Sequence, residues 1–160
     1  MKEKNISVSV KVYEERDELK DDDRLLIDRA KAAARSAYAP YSGFHVGAAV
    51  LLANGEVITG NNQENAAYPS GLCAERVALF YAKSKYPDVA VRKLAVTAMK
   101  DGEVVETPAA PCGACRQVFI EYEEKQNEPL SVLLAGRKTT IEFNSSFDLL
   151  PLAFGSNELE

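Results

Sequence analysis

Residues 46–59 read VGAAVLLANGEVIT, and the fold follows from them. Val46 to Leu52 is a nearly unbroken apolar run, Asn54-Gly55 is a tight-turn pair, and Val57 to Thr59 returns. Asn-Gly supplies the left-handed backbone that a two-residue hairpin turn needs. Beyond it, Asn61 to Gly71 is polar and carries Pro69, so it reads as a loop of some length. Ordered loops of that length tend to carry function. Cys73 to Lys83 reads as a helix, with Val77, Ala78, Phe80 and Tyr81 as its apolar surface. Lys93 to Met99 is a strand, and Asp101-Gly102 a further turn. Pro111 opens another helix, to about Glu123, because proline suits the first turn. Leu130 to Ala135 and Thr139 to Phe143 are strands, and Phe147 to Leu150 is a short helix before Pro151.

Toward the amino terminus, Tyr38 to Gly43 is a loop. A helix starts around Asp22–Asp23, where acids suit its positive end. Leu25, Leu26, Arg29, Ala30, Ala33 and Ala37 continue it at helical spacing. It should stop before Pro40, since the residue preceding a proline avoids the helical region. From Glu14 to Arg24 nearly every residue is charged, which marks a solvated connector. Ile6, Val8, Val10 and Val12 alternate with polar residues, so residues 6–13 form either an added edge strand, an arm onto a neighbouring subunit, or a loose tail. The order of elements gives a three-layer α/β/α sandwich around a mixed, mostly five-stranded sheet. Residues 1–23 are an amino-terminal extension and 24–160 one domain.

Composition narrows the function. The chain has 160 residues, which is single-domain length and enough to bury roughly 70% of the unfolded surface. One His excludes a His-rich metal site within the chain, and three Cys is odd for a disulfide set. No secretory signal and no membrane span is visible, which points to a reducing cytoplasm. The net charge of −5 offers no basic footprint for a nucleic acid or an anionic membrane, so a small substrate is favoured.

Two local groups carry the chemistry: Cys73-Ala74-Glu75 and Pro111-Cys112-Gly113-Ala114-Cys115, each at the start of a helix. Helix amino termini offer partial positive charge, which lowers thiol pKa and favours the metal-binding thiolate. Cys112 and Cys115 are three apart and share a face. Cys73 adds a third sulfur, and three sulfurs suit tetrahedral Zn²⁺ with its fourth position open to water, the pattern of catalysis. Glu75, two residues from Cys73, would be some 200° away on a regular helix. Cys73 must therefore sit at or just before the first turn for the two to converge. A carboxylate beside such a water can move its proton. Three thiolates over-neutralise the metal, so a cation should offset them: Arg76 first, Arg116 second, the plain alternative for each being a surface charge. A redox dithiol, an iron–sulfur cluster and a structural zinc site compete, but none explains the Cys-x-Glu group.

With these residues the sequence resembles the zinc-dependent nucleobase deaminases, whose signature is [His/Cys]-x-Glu followed by Pro-Cys-x-x-Cys. It is most similar to the small homotetrameric cytidine deaminases. The segments carrying the likeness are 40–49, 62–68, 73–76, 111–117 and 149–155. Asn61 and Ala67 depart from residues common in that family, and the first 23 residues extend beyond its usual start. The resemblance implies zinc-dependent deamination of cytidine and deoxycytidine, with Zn²⁺ on Cys73, Cys112 and Cys115 and Glu75 as proton carrier. It also implies ribose hydrogen bonds from Asn62 and Glu64, a nucleoside pocket lined by Phe44, and base-edge contacts from Ala66 and the backbone around Ala74. Tyr68 would lie at the pocket and subunit boundary, and Phe154 would reach the base from a neighbouring copy. His45 falls at a variable position and reads as a bystander. Alternatives are another cytosine nucleoside such as blasticidin S, which the Asn62–Asn65 stretch argues against, a polynucleotide deaminase, and a non-catalytic zinc module.

Overall fold

In the computed structural model, which describes residues 1–159, the residue 46–59 hairpin closes one end of the sheet. It comprises β2 (His45–Leu52) and β3 (Val57–Asn61), antiparallel and in register from Gly47↔Asn61 to Leu51↔Val57. Around it stand β1 (Lys11–Tyr13), α1 (Asp21–Ala34), α2 (Ala74–Lys85), β4 (Val91–Lys100), β5 (Glu103–Val104), α3 (Gly113–Gln126), β6 (Ser131–Ala135) and β7 (Thr140–Phe143). The strand order is β1-β7-β6-β4-β2-β3, with β5 beside the end of β4. The β4–β6 pair is parallel and α3 is its crossover; the other pairs are antiparallel. The five strands read from sequence are all present. Two short ones join them, β1 at the edge and β5.

Alternation along the strands builds the two outer layers. Ala48, Val50 and Leu52 of β2, Leu94 and Val96 of β4, and Val132 and Leu134 of β6 pack with Ala74, Ala78 and Leu79 of α2 and Phe119 of α3. The intervening Ala49, Ala95, Leu133 and Ala135 pack with Leu26, Ile27 and Ala30 of α1. Each large apolar side chain buried this way contributes roughly 1.5–3 kcal/mol. Two glycines let the helices close on the hairpin. A Cβ on Gly47 would collide with the Ala30 carbonyl of α1. One on Gly60 would stand 2.6 Å from the Ala78 nitrogen and 2.8 Å from the Ala74 oxygen of α2.

The helix expected to run until Pro40 ends at Ala34. The reason is tertiary: the Tyr38 nitrogen donates to the Asn62 carbonyl at 3.0 Å, and its carbonyl accepts from Glu64 at 2.8 Å. The backbone there is used to brace the 61–71 loop. Of the alternating stretch Ile6–Tyr13, only Lys11–Tyr13 is strand, paired to β7. Leu19 of the charged connector is buried under α1. Beneath α1, Lys93 of β4 bridges Asp23 at 2.7 Å and Glu142 of β7 at 2.9 Å, and Glu142 also accepts from Tyr13. No helix among the described residues is long and apolar enough to cross a membrane.

Candidate active site

Cys73 and Cys112 are the residues immediately before α2 and α3, each with extended backbone (ψ 150° and 166°), and Cys115 lies in the first turn of α3. Both helices therefore aim their unsatisfied N–H ends at one point. The Cys73 and Cys112 sulfurs are 3.8 Å apart, and those of Cys112 and Cys115 are 3.6 Å apart. Tetrahedral zinc with bonds of about 2.3 Å places its sulfurs about 3.8 Å from one another. The donor set thus fits Zn²⁺ in type and spacing. Among the described residues it is the only such cluster of Cys, His and carboxylates.

Because Cys73 precedes the first helical turn, the 200° separation of a regular helix does not apply, and Glu75 stays beside it. Glu75 is buried, at 4% exposure. That burial pushes its carboxyl above the ordinary carboxylate value; its own backbone N–H offsets this in part, and the Cys73 thiolate adds to it. The thiols divide their protons. Hydrogen bonding from Cys115, helped by Arg76 and opposed by burial, lowers Cys73, whereas Cys115 is pushed up by that bond and by its burial. Arg76 donates to the Cys73 sulfur at 3.5 Å, so its charge lies on the thiolate side of the site. Its Nε is buried without a partner. Arg116 is turned elsewhere: it donates to the Pro111 carbonyl at 2.9 Å and the Leu149 carbonyl at 2.8 Å.

The sequence profile of the cytidine and deoxycytidylate deaminase zinc-binding region matches residues 20–127, a span holding all three cysteines and Glu75. The chain belongs to this deaminase family. It is 42% identical to a cytidine deaminase of Sporosarcina psychrophila, over 84% of this chain and 92% of that one. Its fold matches the crystal structure of a cytidine deaminase from Burkholderia pseudomallei with a TM-score of 0.68, at 42% identity over 81% and 97% of the two chains. The Mycobacterium tuberculosis cytidine deaminase gives a TM-score of 0.65, at 36% identity over 85% and 99%.

Next to Cys73 and Arg76 the deaminase has a pocket of about 530 Å³, walled by Asn62, Glu64, Tyr68 and Leu72 together with Tyr41 and Ser42. Asn62 is held at both ends: its Oδ1 accepts from the Val46 N–H at 2.8 Å, and its Nδ2 donates to the Phe44 carbonyl at 2.9 Å. Glu64 accepts from the Tyr41 N–H at 2.8 Å and from the Ser42 hydroxyl, and these bonds lower its pKa. Tyr41 and Tyr68 meet edge to face, 6.2 Å between centroids. Ala74 is buried in the core and does not line the pocket. Phe44, Ala66 and Phe154 do not line this cavity. Phe154 is 59% exposed on the carboxyl-terminal tail, where its carbonyl accepts from Gln117 of α3 at 2.7 Å. His45 starts β2, opposite Met99. Tyr41 and Ser42 received no role from sequence. The pairing of Ser42 with Glu64, 22 residues on, is long-range and left no local signal.

Proposed function

We propose that the protein hydrolyses cytidine and deoxycytidine to uridine and deoxyuridine, releasing ammonia, in pyrimidine salvage in the cytoplasm. The observation carrying this reading is a zinc-spaced thiolate triad with the buried carboxylate of Glu75 at its side. Cys73, Cys112 and Cys115 would hold one zinc ion per subunit, which would supply the Lewis acidity that lowers the pKa of water. Glu75 takes the proton of the water that attacks C4 of the cytosine. It passes protons to N3 and then to the departing amino group. Cytidine and water thus become uridine and ammonia. A carboxyl raised by burial suits this work, since it must give back the proton it takes.

Arg76 offsets the thiolate charge, with Arg116 bracing the loop before Cys112. Asn62 and Glu64 meet the ribose hydroxyls, Tyr68 bounds the nucleoside and the backbone around Ala74 meets the base edge, whereas Phe44 and Ala66 lie outside the pocket of the single chain. Phe154 covers the base of a neighbouring copy in a homotetramer with shared sites. The exposure of Phe154, and of Tyr68 at 76%, supports this assembly, because large apolar side chains left in water cost free energy that burial in an interface recovers. Residues 24–160 form the catalytic domain and residues 1–23 its extension.

The deciding experiment follows absorbance and ammonia with zinc-loaded protein and cytidine, deoxycytidine or blasticidin S. Turnover of the first two is expected. Glu75→Gln should retain zinc and lose at least about 100-fold in rate, the lower range for general acid–base catalysis. Normal turnover by that variant overturns the mechanism, and no ammonia from any substrate overturns the function.

A further inference from the structure

A second cavity, of about 470 Å³, opens beside α1 on the face of the sheet opposite α2 and α3, and shares no lining residue with the substrate pocket. Its floor includes Leu19, Ile27, Thr97 and Met99, all nearly buried. Its rim is basic. Arg16 comes from the segment after β1, Lys31 and Arg35 from the end of α1, and Arg137 and Lys138 from the β6–β7 turn. Two carboxylates, Glu15 and Glu103, share the lining. Five cations from three separate segments thus converge on one cavity of a chain whose net charge is −5.

Three of these cations have carboxylate partners: Arg16 with Asp28 at 2.7 Å, Arg137 with Glu103 at 2.8 Å, and Lys138 with Glu106. These pairs are solvent-exposed, and such pairs are worth only about 0–1 kcal/mol, so an anion can compete for them. Lys31 and Arg35 have no ion pair among the described residues. They stand four apart, Lys31 in the last turn of α1 and Arg35 as the helical residue that caps it, where like charges repel. The helix dipole accounts for cations at the end of α1. It does not account for the Arg137 and Lys138 turn facing them across an apolar floor.

We propose that this cavity binds an organic phosphate, its phosphoanion held by Lys31 and Arg35 and its ring laid on Leu19, Ile27 and Met99. The rim alone would serve any anion, and the floor alone any apolar molecule; together they select a ligand with both parts. The volume is in the range of small-molecule sites.

Met99 reports on the floor directly, since the only other methionine is Met1. Zinc-loaded full-length protein carrying ¹³C-methyl methionine is titrated with uridine 5′-phosphate at low salt, with saturating uridine present to fill the substrate pocket. The Met99 methyl resonance should shift saturably while that of Met1 stays. The double variant Lys31→Gln, Arg35→Gln should weaken binding at least tenfold and keep cytidine turnover within twofold, which also reports that it folds. Inorganic phosphate should bind at least tenfold more weakly than the nucleotide. No Met99 shift, an unchanged affinity in the double variant, or inorganic phosphate binding as tightly as the nucleotide each overturns the proposal.

Discussion

At the scale of single residues, two arginines beside two zinc-spaced cysteines do different work. Arg76 lies 3.5 Å from the Cys73 sulfur, whereas Arg116 spends its donors on the Pro111 and Leu149 carbonyls. Arg76→Gln keeps much of the side chain's bulk but removes its charge. It is expected to cost 10–100-fold in zinc retention or kcat, the range for groups that support metal ligands. Chelator-release kinetics and steady-state rates check this, and an unchanged zinc off-rate with unchanged kcat sinks the assignment. Arg116→Ala should act through stability instead. It leaves two carbonyls without their donor, a loss of about 1–3 kcal/mol, read as a fall in thermal midpoint. A fall in kcat without a change in midpoint would reverse the two roles.

At the scale of elements, α2 keeps its place through a missing side chain. Gly60→Ala sets a methyl against the α2 backbone at Ala74 and Ala78, so α2 must move outward. Overpacking of this kind costs about 1–3 kcal/mol. Here it should also loosen zinc, because Cys73 and Glu75 ride on the displaced end. At Gly113, the first residue of α3, a Cβ meets nothing within 4 Å. Gly113→Ala should therefore raise stability by about 0.4–1 kcal/mol by restricting the unfolded chain. Thermal melts with and without chelator test the pair; equal effects at both glycines would contradict this packing account. The sequence carried the strands and helices well where the signal is local. The apolar run of β2, the Asn54-Gly55 turn and the helical spacing of α1 all depend on near neighbours. It failed where the cause is distant: α1 stops at Ala34 because Tyr38 pairs with Asn62, and β5 is two residues with no pattern of their own. The site behaves likewise. Cys73, Glu75, Cys112 and Cys115 are legible from spacing, because helix starts bring them into reach. Arg76 was the first choice from its place beside Glu75, but the use of Arg116 depends on Leu149, remote in sequence, and was not legible.

At the scale of the whole molecule, the side chains of the edge strand β1 meet the rest of the sheet at one buried carboxylate, Glu142. Burial alone would raise the pKa of Glu142, but hydrogen bonds from Tyr13, Lys93 and Lys11 outweigh it and hold the carboxyl at about 2. The same bond to Glu142, with burial second, lifts the Tyr13 phenol to about 12. Glu142 in the unfolded chain takes up its proton near 4.5, before the folded form does, so its contribution is lost as pH falls from 4.5 toward 2. Tyr13 in the unfolded chain ionises near 10, before the folded form does, so its contribution is lost as pH rises from 10 toward 12. The fastening is complete between those limits. Urea midpoints measured across pH should decline on both sides for the native chain. Tyr13→Phe should flatten the alkaline decline and make the acid decline shallower, since Glu142 keeps its lysines. Glu142→Gln should abolish its own acid contribution and also flatten the alkaline decline, because the phenol then has no carboxylate to oppose its ionisation. Removing residues 1–13 deletes Tyr13 together with β1, and should reproduce the flattened alkaline side. If the truncated chain keeps the native profile on both sides, β1 is not held through Glu142.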